Sequence, residues 1–414
     1  MQTNRSDWTG SFAFTHTIRE LRLGPIVTGI LIHQSLLRKR FDVFPDRSYA
    51  HGIRQAFCLK SAVTDGHEGL SMSSLPISVL DLTLVDSGSS GPQALRNTIE
   101  TGQVAERLGY SRIWLAEHHN TAAIASPAPE LMIGILARET STIHVGSGGI
   151  MLPNHSPLKV AETFRVLEAL APGRIDLGIG RAPGTDTLTA LALRRSHDAL
   201  RADDFPDQLA ELRGYNSVEF QSGHAFGKIR AEPADVELPP IWMLGSSDFG
   251  ARLAAALGLR FSFASHINMD MAVPALNYYR DAFTPSVELA KPYSMLTVAT
   301  ICAETEEEVA YHAYSSDLSS LRLITGKFGP IPSPEEAMAY PFTDAERRHI
   351  QPMKDRMIAG TPVQVRERIL DLVGKTQADE VMVMTRMWGH RNRLRSLELI
   401  AEAFELAGMT LAAG

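Results

Sequence analysis

From Ile77 onward, short apolar runs alternate with longer stretches of helical periodicity, and no other feature of the chain restricts its fold as tightly. The strand candidates are Ile77–Leu82, Arg112–Ala116, Ile143–Leu152, Arg174–Gly180, Pro240–Leu244, Phe261–Ala264, Met295–Cys302 and Glu380–Met384. Helical patterns lie between them. Pro92–Leu108 carries Leu95, Ile99, Val104, Ala105 and Leu108 on one side and stops at Gly109. Pro127–Thr140 and Pro157–Leu170 each open on a proline, which suits a first helical turn. Asp248–Leu257 is alanine-rich and ends before Gly258. Glu304–His312 opens with acidic residues, which suit the positive end of a helix dipole, and a further helix starts at Thr361-Pro362 and runs to about Val373. Eight strands spread evenly among helices predict an α/β fold of the (β/α)₈ TIM-barrel type with insertions. A doubly wound sheet is the competitor, but no second core pattern accompanies the strands. Ala182–Pro239 and Tyr314–Gly360 exceed ordinary connections, so both are expected to be functional excursions.

Residues 1–71 differ from the rest, with an apolar stretch at Leu23–Ile32 broken by Pro25 and by Gly24 and Gly29. It lacks a convincing cleavage site for a signal peptide. We read this segment as an irregular extension that is not native or is poorly ordered, with Met72 as the natural start and residues 72–414 as the barrel domain. A genuine extra arm is the alternative, and an intact mass that includes residue 1, from the native gene, would establish it. The net charge of −7 and the lack of a basic tract argue against a nucleic-acid partner. No apolar run approaches the ~20 residues that span a bilayer. Two cysteines give no disulfide framework, which fits a cytoplasmic setting. Without H-E-x-x-H or calcium-loop spacing, no metal site is expected.

Chemistry-bearing residues gather at the C-terminal ends of the predicted strands, where parallel α/β folds place their sites. The second strand runs into Glu117-His118-His119, which either act chemically or cap the strand. Gly146-Ser147-Gly148-Gly149 joins the third strand to Leu152-Pro153-Asn154-His155-Ser156-Pro157. Its paired glycines either admit a flat ligand or bend the barrel. The fourth strand exits through Gly178-Ile179-Gly180-Arg181, too widely spaced from Gly184 for a dinucleotide fingerprint. Arg181 is suited to an anion, or pairs with a carboxylate such as Asp186. Gly245-Ser246-Ser247 precedes a helix and suits a phosphate, or simply supplies an N-cap.

As an ordered set, these motifs resemble the bacterial luciferase-like flavin-dependent monooxygenases, from about Leu75 to about Ala407, and especially a subgroup of unassigned substrate. The resemblance implies a flavin monooxygenase using reduced FMN, loosely bound as a co-substrate, and dioxygen to oxidise a small organic substrate through a flavin hydroperoxide. It implies His118 beside the flavin, with His119 in the same loop. It implies a cis peptide between Gly148 and Gly149 behind the ring, and phosphate contacts from Arg181, Ser246 and Ser247 with Gly245 beside them. The position of the family's reactive thiol is Gly180 here, which implies extra room. A separate flavin reductase, a homodimer, and a mobile lid at 314–360 are implied as well. Two rivals stand beside this function: a deazaflavin-dependent oxidoreductase on the same barrel, separable by absorbance near ~420 rather than ~450 nm, and a non-catalytic flavin-binding protein.

Overall fold

The computed structural model describes residues 75–215, 217, 220 and 223–408. The segment read as an N-terminal extension, 1–71, lies outside the described residues. Among those described, ten parallel strands form one sheet. They are β1 (Ile77–Asp81), β2 (Arg112–Leu115), β3 (His144–Ser147), β4 (Ile150–Met151), β5 (Ile175–Gly180), β6 (Ile241–Gly245), β7 (Arg260–Ala264), β8 (Ser294–Cys302), β9 (Met357–Gly360) and β10 (Glu380–Thr385). Strand β10 pairs with both β8 and β1, which closes an eight-position barrel in the order β1-β2-β3/β4-β5-β6-β7-β8-β10. β9 adds to the upper end of β8 alone.

Helices α1 (Gly91–Arg107), α2 (Pro129–Glu139) and α3 (Pro157–Leu170) follow the first three barrel strands. The first long insertion folds into α4 (Thr187–Arg194), α5 (His197–Arg201) and α6 (Phe205–Gly214). Then come α7 (Asp248–Leu257), α8 (Ala272–Asp281) and α9 (Glu306–Ile324). Short helices α10 (Pro334–Met338) and α11 (Asp344–Asp355) occupy the second insertion, and α12 (Pro362–Thr376) and α13 (His390–Ala403) complete the ring. Three sequence expectations need correction. The excursion set at Tyr314 begins instead after Ile324, because α9 continues for three more turns. Its buried positions there are Ser315, Ser316, Asp317 and Ser320 as well as Leu318 and Leu321, so the apolar stripe that signals a helix fades. The run Ile143–Leu152 is not one strand: it breaks at Gly148-Gly149, and Leu152–Asn154 is a 3₁₀ turn. β9 and α13 were not anticipated; four residues of β9 are too few to show a period.

Strand alternation decides what faces where. Ile77, Val79, Ile113, Leu115, Val381 and Val383 point outward into the layer between strands and helices. Each such buried side chain contributes about 1.5–3 kcal/mol relative to exposure. Leu80, Trp114, Trp242, Met295, Met382 and Met384 point inward and fill the barrel. Below them, at the strands' N-terminal ends, the interior is polar. The Arg112 guanidinium bridges Asp176 (2.6 Å) and Glu380 (2.7 Å), both buried. Trp114 Nε1 and Trp242 Nε1 donate to Asp176 at 3.0 and 3.2 Å; Tyr293 and Ser78 hydroxyls donate to Glu380. This plug closes the end of the barrel away from the strand-end motifs.

Candidate active site

The inward register carries past the strand ends. On β2 it runs Arg112, Trp114, Ala116 and then His118, so His118 enters the barrel mouth while Glu117 turns the other way. On β5 it runs Asp176, Gly178, Gly180. On β7 it continues to His266, and on β10 through Glu380, Met382 and Met384 to Arg386. The mouth is a cavity of about 780 Å³. All nine residues singled out above line it: His118, His119, Gly148, Gly149, Gly180, Arg181, Gly245, Ser246 and Ser247. His266 and Arg386 line it too. Neither was anticipated, although extending the period-2 pattern two residues past each strand would have found both.

Glu117 is fully buried and organises the loop rather than the cavity. Its carboxylate accepts from Met151 N (2.8 Å), Asn154 Nδ2 (3.2 Å), His155 Nε2 (2.9 Å) and His119 Nε2 (2.8 Å). His119 is therefore held at the cavity rim. Burial alone would raise the Glu117 carboxyl, but the hydrogen bonds and charge of His155 outweigh it and hold the group below its ordinary value. Burial works against a charged His155, yet the hydrogen bond and charge of Glu117 raise it above its ordinary 6.5. The Glu117 contribution to stability is present above 4.5 and is lost as pH falls through its depressed folded value. The His155 contribution is full below 6.5 and is lost as pH rises through its raised folded value. The stability lost in Glu117→Gln should therefore peak between these limits, at about 1–3 kcal/mol. Urea midpoints at pH 4, 5.5 and 8 check this, and a pH-independent difference would refute the coupling.

His118 makes no such bond. Its Nδ1 is buried without a hydrogen-bond partner. Burial lowers its pKa, and although Glu117 opposes this, the imidazole is held in its neutral form near pH 7. His266 Nδ1 is likewise unpartnered. Burial is the main cause that pushes His266 down to about 4, with the charges of Arg386 and His118 adding to it.

The peptide between Gly148 and Gly149 is cis. A Cβ on Gly148 would come within 2.8 Å of Leu80 Cδ1, and one on Gly149 within 2.8 Å of the Gly178 carbonyl oxygen. Backbone packing thus requires Gly149, whereas a side chain at Gly148 would force the Leu80 side chain to shift. Gly180 does not leave extra room: the Met151 sulfur lies 3.1 Å from where its Cβ would be.

Arg181 does not pair with Asp186. Its guanidinium lies 4.0 Å over the ring of Phe249, in the first turn of α7. Ser247 occupies the N-cap position of that helix, but its hydroxyl caps nothing. By contrast, Ser90, Asp186, Thr305 and Thr343 each accept from their own helix. A cation, uncommitted hydroxyls and first-turn N–H groups therefore converge at one helix end, a suitable cradle for a phosphate dianion. Asp248 beside it is engaged by Arg252 at 3.2 Å. The unpartnered His118 nitrogen and this open cradle both fit a flavin mononucleotide.

The far wall comes from Ser319, Arg322 and Leu323 of α9 and from Phe328–Ile331. That segment is strapped to the loop after β1: Ile331 N donates to Val85 O at 2.8 Å and Ser87 N to Ile331 O at 2.7 Å.

Residues 75–379 match the family model described as luciferase-like monooxygenase. A luciferase-like monooxygenase of Escherichia coli K12 is 41% identical over 80% of this chain and 97% of its own length. An N-acetyl-S-alkylcysteine monooxygenase of Bacillus subtilis is 35% identical over 79% and 97%. The crystal structure of apo-MsnO8 superposes with a TM-score of 0.74, at 37% identity, over 82% of this chain and all of that one. With a closed barrel and a family match over most of its length, the chain belongs to the luciferase-like monooxygenase family.

Proposed function

We propose that this protein is a flavin-dependent monooxygenase that takes reduced FMN and dioxygen and oxidises a small organic substrate. The observation that carries this is one cavity holding both a phosphate cradle, at Arg181 and Ser247, and an unpartnered neutral imidazole, His118, against apolar walls. Arg181, Ser246 and Ser247 would hold the phosphate, and the Gly148-Gly149 wall would support the ring. When bound, reduced FMN supplies the two electrons that divide dioxygen between product and water. The protein's own part is positioning, dryness and proton handling. Leu80, Trp114, Met382 and Met384 form an apolar floor, and the strapped segment at Ile331 covers the mouth, so water is kept from the reacting centre. His118, neutral at pH 7, can take a proton at its free nitrogen and return it.

The direct test mixes protein loaded with reduced FMN into oxygenated buffer. Flavin reoxidation slower than that of free FMN is expected, and reoxidation at the free rate would remove the protective role. In the same protein, Arg181→Ala should weaken FMN binding by about 1–3 kcal/mol through the lost charge-assisted contact. Unchanged affinity would move the phosphate elsewhere.

A cytoplasmic setting with a separate reductase supplying the reduced flavin completes this proposal. Among the described residues, no helix is long and apolar enough to cross a membrane. A homodimer is also proposed: neighbouring helices α2 and α3 expose Leu131 and Ile135, and Val166 and Leu170, each pair at i,i+4 spacing. Sedimentation velocity giving one copy per particle at micromolar concentration would refute it.

A further inference from the structure

We infer that the substrate carries a carboxylate on an apolar body, and that Arg386 binds it in the cavity wall across from the phosphate cradle. The cavity is the one assigned above to the flavin, and the substrate's role rests on that assignment. The basis for Arg386 does not.

Arg386 continues the inward register of β10, one step beyond Met384, and is largely enclosed. Among the described residues its guanidinium joins no ion pair and no side-chain hydrogen bond. The other cations around it are committed. Arg393, on α13, grips Asp86 with two bonds of 2.7 and 3.1 Å and donates to Met387 O. Arg322 pairs with Glu336 at 2.6 Å. Nor, among the described residues, does the cavity hold a carboxylate in reserve. Asp186 is the acid in its lining, and it already accepts from Asn120, Thr185, Leu188 and Thr189. Burial pushes the Arg386 guanidinium below its ordinary pKa with no charge partner offsetting it. A buried, uncompensated charge is unfavourable for the fold by itself, so its natural complement is a ligand.

Three observations narrow that ligand. First, counting round the closed barrel, β5 is the fourth position and β10 the eighth. Arg181 and Arg386 therefore stand on opposite walls, and one phosphate does not serve both. Second, a guanidinium is a planar fork of donors that matches a carboxylate in two parallel bonds. His266, within electrostatic range of Arg386, has a free Nδ1 nearby that adds a polar contact. Third, the same cavity is lined by the apolar side chains of Leu80, Met384, Phe328 and Ile331, which suits a hydrocarbon body behind the charged head.

The test uses three probes of equal length, octanoate, octanamide and octylamine, titrated calorimetrically into the full chain with and without FMN. Octanoate should bind about 10- to 100-fold more tightly than octanamide, as expected for a charge-assisted bond, with octylamine weakest. Arg386→Met, close in volume, should bring the octanoate-to-octanamide ratio to about 1 while FMN affinity stays within about twofold. It should also raise the melting temperature, because it removes an unpaired buried charge. Arg386→Lys, which keeps charge without the fork, should retain part of the preference.

Equal binding of octanoate and octanamide by the wild type, including no binding of either, would overturn the inference. So would a preference that survives Arg386→Met. A lower melting temperature in that variant would make Arg386 structural, and an FMN affinity that falls in step would assign it to the flavin ring. If the chain binds no FMN, yet shows an octanoate preference that Arg386→Met abolishes, the flavin proposal fails and the anion site stands.

Discussion

Arg112→Met is expected to remove about 3–5 kcal/mol of stability, the largest effect of any single substitution considered for this chain. Among the described residues, Arg112 is the one cation bridging Asp176 and Glu380, both buried inside the barrel. Removing it leaves two carboxylates enclosed with hydrogen bonds but no counter-charge. Trp114, Trp242, Tyr293 and Ser78 still donate to them, yet neutral donors offset only part of the lost solvation. Arg112→Lys should fall between, since an ammonium keeps the charge but loses the fork that reaches both acids. Urea unfolding with matched slopes reads the difference. The plug sits at the N-terminal end of the strands and the cavity at the other, so protein that remains folded should bind FMN with unchanged affinity. A loss below about 1 kcal/mol would mean that the plug contributes no more than an exposed ion pair.

His118→Ala should lower turnover by about 10²- to 10⁴-fold, the usual range for a removed general acid or base. Two accompanying results make this specific. FMN affinity should hold, because the proposed phosphate contacts lie at the end of β5 and the start of α7, away from β2. Stability should not fall, because His118 Nδ1 has no partner to lose. Measuring turnover, FMN binding and urea midpoint on one preparation separates the roles. Unchanged turnover would take His118 out of the chemistry, and a parallel loss of stability would make it structural.

These two residues differ in how much of their role the sequence discloses. The place of His118 at the cavity was legible from Trp114–His119 because apolar residues give way abruptly to titratable ones at a strand end. Arg112 was seen only as the first residue of a strand. Its partners lie 64 and 268 positions away, and nothing local announces them. The same holds for Glu117. The sequence shows a carboxylate beside two histidines, but three of its four donors come from β4 and the turn after it, at Met151, Asn154 and His155. The cavity's far wall was expected as a long excursion from its length and as a lid from the family resemblance, and its start was misplaced because serines interrupt the apolar stripe of α9.

What the sequence by itself determined is the barrel and the gathering of polar residues at one end. Each follows from periodicity, which is local: alternate residues of a strand face opposite sides, and a helix buries every third or fourth. By the same local rule, Arg386 points into the mouth as surely as His118 does. Only the tertiary structure decided which of these inward groups find partners. Closure of β10 onto β1 and β8 brings Glu380 to Arg112 and satisfies both. Six residues further along the same strand register, it leaves Arg386 facing a cavity whose acid among the described residues, Asp186, is already engaged elsewhere. Pairing depends on distance in space across the barrel, and one strand's sequence holds no information about what its opposite wall presents.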